Sequence, residues 1–187
     1  MKCEKNPVDS FTVNVYGMLN VIKSCLETKS KLIFLSSREV YGETQGTESS
    51  EDDEMNPKNI LGITKMLAEN LIKNAAKNSK LNFTILRITN VYGENMKSGI
   101  YEMIRNAIID NKINVNGGNQ TFNLIHVNDV VSILGKIMST HNSKNKTYNV
   151  GSTLNTTLND LVDIIINTLD IKLKIELCPL PKEETQK

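Results

Sequence analysis

KLIFLS, Lys31 to Ser36, sets Leu32, Ile33, Phe34 and Leu35 side by side with no polar residue between them. A run of that kind has no face to give to water, which is the pattern of a strand covered on both sides in a parallel sheet. NFTILR, Asn82 to Arg87, reads the same way. Between the two, Ser37 to Asn56 is polar and acidic and predicts a loop. Pro57 to about Lys77 then predicts a helix, with Ile60, Ile63, Leu67, Leu71 and Ala75 on one stripe. Upstream, Pro7 to Leu26 has Phe11, Val15, Met18, Leu19 and Ile22 at three- and four-residue steps, and Pro7 suits a first helical turn.

The alternation continues downstream. Ile100, Met103, Ile104, Ala107 and Ile108 predict a helix. Ile113 to Val115 and Leu124 to Val127 predict short extended pieces around the turn NGGN. Asn128 or Asp129 is a candidate cap for a helix through Val131, Leu134 and Ile137. Thr147 to Val150 predicts a strand, Thr157 onward a helix through Leu158, Leu161, Val162, Ile165 and Leu169, and Lys172 to Leu177 a last strand. Strands separated by helices predict an α/β fold with right-handed crossovers and a parallel sheet. No repeat, low-complexity tract or linker interrupts the chain, so one domain over residues 1–187 is expected.

Composition narrows the function classes. The 22 Lys+Arg and 21 Asp+Glu nearly cancel, leaving no field to favour nucleic acid or an anionic membrane surface. Cys3, Cys25 and Cys178 lie far apart, with no CxxC pair, which fits reduced thiols of a cytoplasmic protein better than disulfides or a metal site. The opening MKCEKNPVDS has no apolar stretch for a signal peptide, and no run approaches the roughly 18 apolar residues of a membrane span.

Four segments, in order, resemble the extended short-chain dehydrogenases that act as NAD-dependent nucleotide-sugar epimerases and dehydratases. They are NVYGMLNV (Asn14 to Val21), SSREVYG (Ser36 to Gly42), NILGITKMLAE (Asn59 to Glu69) and LRITNVYG (Leu86 to Gly93), with weaker echoes in Asn116 to Val130 and in YNVG, Tyr148 to Gly151. The resemblance implies the second half of a Rossmann-like, doubly wound parallel sheet with part of the small substrate-binding subdomain. Residues 1–95 are expected to form the Rossmann-like portion. Residues 96–187 are expected to be mostly substrate-side, with strands returning to the main sheet.

The resemblance also implies roles. Ser37 would polarise the sugar oxygen and Lys65 would hold the nicotinamide ribose. Glu39 matches the second of two acids that a dehydratase uses, with Arg38 where the first would stand. Asn14, Ser36, Lys65, Thr89 and Val91 fall at cofactor positions, Ser37 and Asn90 at substrate positions, and no metal is expected. The implied cofactor is NAD and the implied partner a nucleotide sugar, in isomerase or lyase chemistry of cell-surface polysaccharide or sugar-nucleotide metabolism.

Departures from the pattern are specific. The family has a Tyr four residues before its Lys, on the same helical face, where the cation lowers the phenol's pKa so that it can carry a proton. Here that residue is Leu61, and Tyr41 or Tyr92 is the remaining candidate phenol. An Arg that would contact the diphosphate is replaced by Phe122, and no GxxGxxG or GxGxxG occurs. His126 is expected to be structural. Several βαβ units of about 30 residues each are expected to be missing before the match, and the family's last helices after it. KLIFLS would then be a sheet edge, open to a complementing chain or a second copy. Two functions follow: an epimerase/dehydratase chain that is incomplete alone, or a non-catalytic remnant that pairs through this edge.

Overall fold

The computed structural model describes residues 2–43, 49–94, 96, 99–140, 143–169 and 174–178. They form two compact units, one of Met1–Thr89 with Ser132–Val150, the other of Asn90–Val131 with Gly151–Lys187.

The first unit is built on three parallel strands, β1 (Leu32–Ser37), β2 (Phe83–Ile88) and β6 (Lys146–Val150), in the order β1-β2-β6. All six residues of β2 are buried, as its unbroken apolar run requires. In β1, Leu32, Phe34 and Ser36 are buried while Leu35 stays 41% exposed. The core joins Leu32, Phe34, Phe83 and Ile85 of the sheet to Met18 and Ile22 of α3 (Gly17–Thr28) and to Ala68 and Ile72 of α4 (Ile60–Ser79).

Two helical expectations shift for physical reasons. Before α3 lie α1 (Lys2–Lys5), α2 (Pro7–Phe11) and one wide π turn, Thr12–Tyr16, in which the Gly17 N–H donates to Thr12 O. The extra residue in that turn moves the apolar stripe out of phase, so Met18 and Ile22 are buried and Leu19 is 44% exposed. In α4 the expected stripe is only half-buried. The face out of water is Gly62, Thr64, Ala68, Glu69 and Ile72, small or polar residues that let the helix approach closely.

The second unit pairs β3 (Asn90–Tyr92) in parallel with β5 (Thr121–His126), and β5 in antiparallel with β7 (Asn155–Thr157), a pairing the all-parallel expectation did not include. Separately, β4 (Lys112–Asn116) runs parallel to β8 (Lys174–Cys178). Ala107 of α5 (Ile100–Asp110) packs with Ile113, Val115 and, from α7 (Leu158–Leu169), Leu158, Val162 and Ile165. Thr157 and Asp160 cap α7 reciprocally, the Asp160 N–H donating to Thr157 Oγ1 at 3.0 Å and the Thr157 N–H to Asp160 Oδ2 at 3.1 Å. Neither Asn128 nor Asp129 caps α6 (Val127–Ser139), which starts before both. His126 Nδ1 does so by accepting from the Asn128 N–H at 3.2 Å. Among the described residues no helix is long and apolar enough to cross a membrane.

At the centre of the first unit a buried ion pair ties helix to sheet. Arg87 Nη2 of β2 lies 2.8 Å from Glu69 Oε2 of α4, with both side chains almost wholly out of water. Arg87→Met should therefore cost about 3–5 kcal/mol in urea unfolding, because it strands a buried carboxylate. Adding Glu69→Leu should recover at least half of that loss, and no recovery would show that the pair is not the source of the cost.

Candidate functional site at the carboxyl ends of the first sheet

Parallel strands leave a ligand crevice beyond their carboxyl ends. In the first unit those ends are Ser37, Ile88 and Val150, with Thr89 continuing the ladder through its N–H to Val150 O at 3.0 Å. Ser37 closes β1 and starts a 3-10 turn, Arg38–Val40, its Oγ accepting from the Glu39 N–H at 3.2 Å. The Glu39 carboxylate accepts from Asn59 Nδ2 at 2.5 Å and pairs with Arg38 at 3.4 Å. Asn59 in turn caps α4 by accepting from the Gly62 N–H at 2.8 Å. A Cβ on Gly62 would fall 2.3 Å from Glu39 O, so glycine is what lets the start of α4 press against the Ser37 turn.

That contact fixes where Lys65 stands. Its Nζ donates to Leu35 O at 2.7 Å, two residues before Ser37, and lies 4.8 Å from the Phe34 ring centroid. Burial pulls the Lys65 pKa below the ordinary lysine value, against the opposing influence of Cys3 and Glu69. Leu61 sits one turn earlier on the same helix, half-buried and without a proton to move. Asn14, in the π turn, donates from Nδ2 to Thr64 Oγ1 at 3.0 Å, beside Lys65 in sequence. The structure thus gathers Asn14, Ser37, Glu39 and Lys65 around the end of β1 and the start of α4.

Other expected site residues are placed differently. The Ser36 hydroxyl turns inward and donates to Glu69 Oε1 at 2.6 Å. Thr89 Oγ1 is buried and has no hydrogen-bond partner in the structure. Asn90 and Val91 belong to the second unit, where they pair with Leu124 and Ile125. Phe122 packs against the apolar cluster of α5 and α7. Tyr41 cannot serve as a spare phenol. It is 5% exposed, its hydroxyl donates to Asn149 Oδ1 at 2.7 Å and accepts from Arg87 Nη1 at 2.7 Å. Tyr92 meets His126 edge-on, with ring centroids 5.1 Å apart.

The residues that sequence reasoning left without a role are Glu69 and Arg87, although both fall inside quoted motifs. Besides Glu69 and Tyr41, Arg87 donates to Glu51 O at 2.9 Å and to Met55 Sδ at 3.2 Å. Asn149 adds a bond from its N–H to Glu51 Oε1 and one from Nδ2 to Ser49 O, each 2.7 Å. The only cue in the sequence was a charged residue inside each of two apolar runs.

Comparison with known proteins places this geometry. The profile described as NAD dependent epimerase/dehydratase family matches residues 1–151. The chain belongs to that family. It is 31% identical over 184 residues to the UDP-glucose 4-epimerase of Mycoplasma genitalium, covering 85% of this chain and 54% of the relative. Against the dTDP-D-glucose 4,6-dehydratase of Dictyostelium discoideum it is 28% identical, covering 87% and 38%. The fold matches the solved UDP-N-acetylglucosamine 4-epimerase of Methanobrevibacter ruminantium with a TM-score of 0.87 at 23% identity, over 97% of this chain and 60% of that one. The chain spans about half the length of the curated epimerase relative that it matches.

The dinucleotide that the family's name implies fits these residues at one end. A lysine ammonium resting on a neutral carbonyl and a buried threonine hydroxyl with no partner suit a ribose and its neighbouring polar groups. A glycine-rich turn to receive a pyrophosphate does not occur in the sequence.

Burial raises the Glu69 pKa, but the hydrogen bonds from Arg87 and Ser36, with the charges of Arg87 and Lys73, outweigh it and hold the carboxyl below its usual range. Its folded pKa therefore lies under the unfolded value of about 4.3. The linked stability is present above that value and lost as pH falls through the lower one. The thermal midpoint of the wild type should exceed that of Glu69→Gln by a constant margin from about pH 7 to 5, a margin that shrinks below about pH 4. A margin independent of pH would refute the charge assignment.

Proposed function

We propose that this chain carries the nicotinamide-ribose and sugar-contact portion of an NAD-dependent nucleotide-sugar epimerase/dehydratase. The observation that supports this best is the seating of Lys65 Nζ on Leu35 O, at the carboxyl end of the strand that Ser37 closes. On this reading Lys65 and Asn14 hold the ribose side of the cofactor, with Thr89, Val91 and the main chain of Ser36 lining it. The Ser37 hydroxyl and Asn90 meet the sugar, and Glu39 acts as an acid only by exchanging its bond to Asn59 for one to substrate. When bound, the dinucleotide supplies a hydride acceptor. This chain's residues orient the sugar oxygen and hold positive charge beside the ribose.

The proton step is where the chain falls short. In a hydride transfer from an alcohol carbon, the hydroxyl proton must leave to a base within about 3 Å. Lys65 is already committed as a cation, Ser37 has no base recorded behind it, and Leu61 offers none. We infer weak or absent turnover by the isolated polypeptide. Leu61 also favours a second reading, a chain that retains the fold without the reaction. Completion by another chain, or by a second copy, is compatible with either.

Titration of the purified chain with NAD, followed by calorimetry, separates these readings. Saturable binding that Lys65→Met weakens at least tenfold supports the ribose site. Absence of binding at millimolar NAD, with Lys65→Met unchanged, favours the non-catalytic reading. Leu61→Tyr, tested with the missing dinucleotide-binding portion supplied from the Mycoplasma genitalium relative, should raise hydride transfer by about 10²-fold or more, the contribution of a placed general base. No gain would argue that the remaining site residues are not in register.

A further inference from the structure

The two edges of the first sheet are finished differently. On β6, the edge-facing N–H of Asn149 is taken by Glu51 Oε1 at 2.7 Å, and the Asn149 side chain holds Ser49 O at the same distance. That edge is covered by the chain's own acidic segment. On β1, Leu32 N–H bonds towards Asn82 O at 2.8 Å, so Leu32, Phe34 and Ser36 direct their backbone groups to β2 while Ile33, Leu35 and Ser37 direct theirs outward. Among the described residues no strand pairs with that outward side. Between Lys31 and Arg38 the strand has no charge, proline, glycine or bulge, none of the features by which natural edges resist pairing. Its single guard is Lys65 Nζ on Leu35 O.

We propose that the β1 edge is a docking site for an extended apolar segment of a second, different polypeptide, one that presents a carboxylate near Leu35. A second copy of this chain fits poorly. Antiparallel self-pairing of Leu32–Ser37 centres its twofold axis between Phe34 and Leu35. It would bring the two Lys65 ammonium groups, each seated on its own Leu35, together at that axis, where like charges oppose association. The same cation attracts a strand that carries an acid there. An ammonium has three N–H donors, so the bond to Leu35 O leaves two for the incoming carboxylate or for other ligands.

Two fluorescein-labelled octapeptides of alternating valine and threonine, one with a central glutamate and one with a central lysine, test this by anisotropy, alongside sedimentation of the protein alone. The glutamate peptide should bind saturably and at least tenfold more tightly than the lysine peptide. Ile33→Pro removes an outward N–H while leaving the β1-β2 ladder intact, and should weaken binding at least tenfold with an unchanged circular dichroism spectrum. Should Ile33→Pro not fold, Lys65→Met serves instead by erasing the preference between the two peptides. The inference is overturned by failure of the glutamate peptide to bind, by equal binding of both, by indifference to these variants, or by a wild-type dimer that Ile33→Pro dissolves.

Discussion

Arg87 and Glu69 meet at 2.8 Å in the interior of the first unit, and their side chains are 1% and 0% exposed. Neither charge could sit there alone. The geometry answers the desolvation cost with several bonds at once: Arg87 Nε and Nη2 both reach the carboxylate, Nη1 reaches Tyr41 and the Glu51 carbonyl, and Ser36 takes the remaining carboxylate capacity. A half-satisfied version of this network would be worse than an apolar core. Its satisfaction therefore requires α4, β1, β2 and residues 51–55 to be in place together. It is the point at which helix, sheet and loop become one cooperative body.

That dependence explains why the quoted motifs are long. The lysine motif runs from Asn59 to Glu69 because one end must cap the helix and hold Glu39, while the other must reach Arg87. Lys65 lies between these anchors, and its position follows from theirs. The loss of the phenol at Leu61 leaves both anchors intact, so the frame of the site and its proton chemistry are separable. A chain can keep the first after giving up the second.

The fold was legible where burial alone decides. Unbroken apolar runs located β1 and β2, and a cap-and-stripe pattern located α7. What could not be read came from geometry that no local pattern encodes. The π turn at Thr12–Tyr16 shifted the α3 stripe by one residue, and α4 buried its small, polar face rather than its apolar one. The candidate site was legible as a set of positions, because Ser37 and Lys65 fall at a strand end and one turn into a helix. The bonds that occupy them were not. Ser36 spends its hydroxyl on Glu69 and Tyr41 spends its own on Asn149, choices fixed by partners 33 and 108 residues away in the chain.

Gly62 carries one more implication. With Glu39 O only 2.3 Å from where a methyl would sit, the first turn of α4 and the backbone after Ser37 touch without any intervening side chain. Side chains absorb displacement by changing rotamer, whereas main chain against main chain has almost no give. A shift of the serine turn must thus be carried directly into the lysine helix, like the motion of two gear teeth in mesh. Whatever molecule nudges one hydroxyl at that rim also moves an ammonium, without slack.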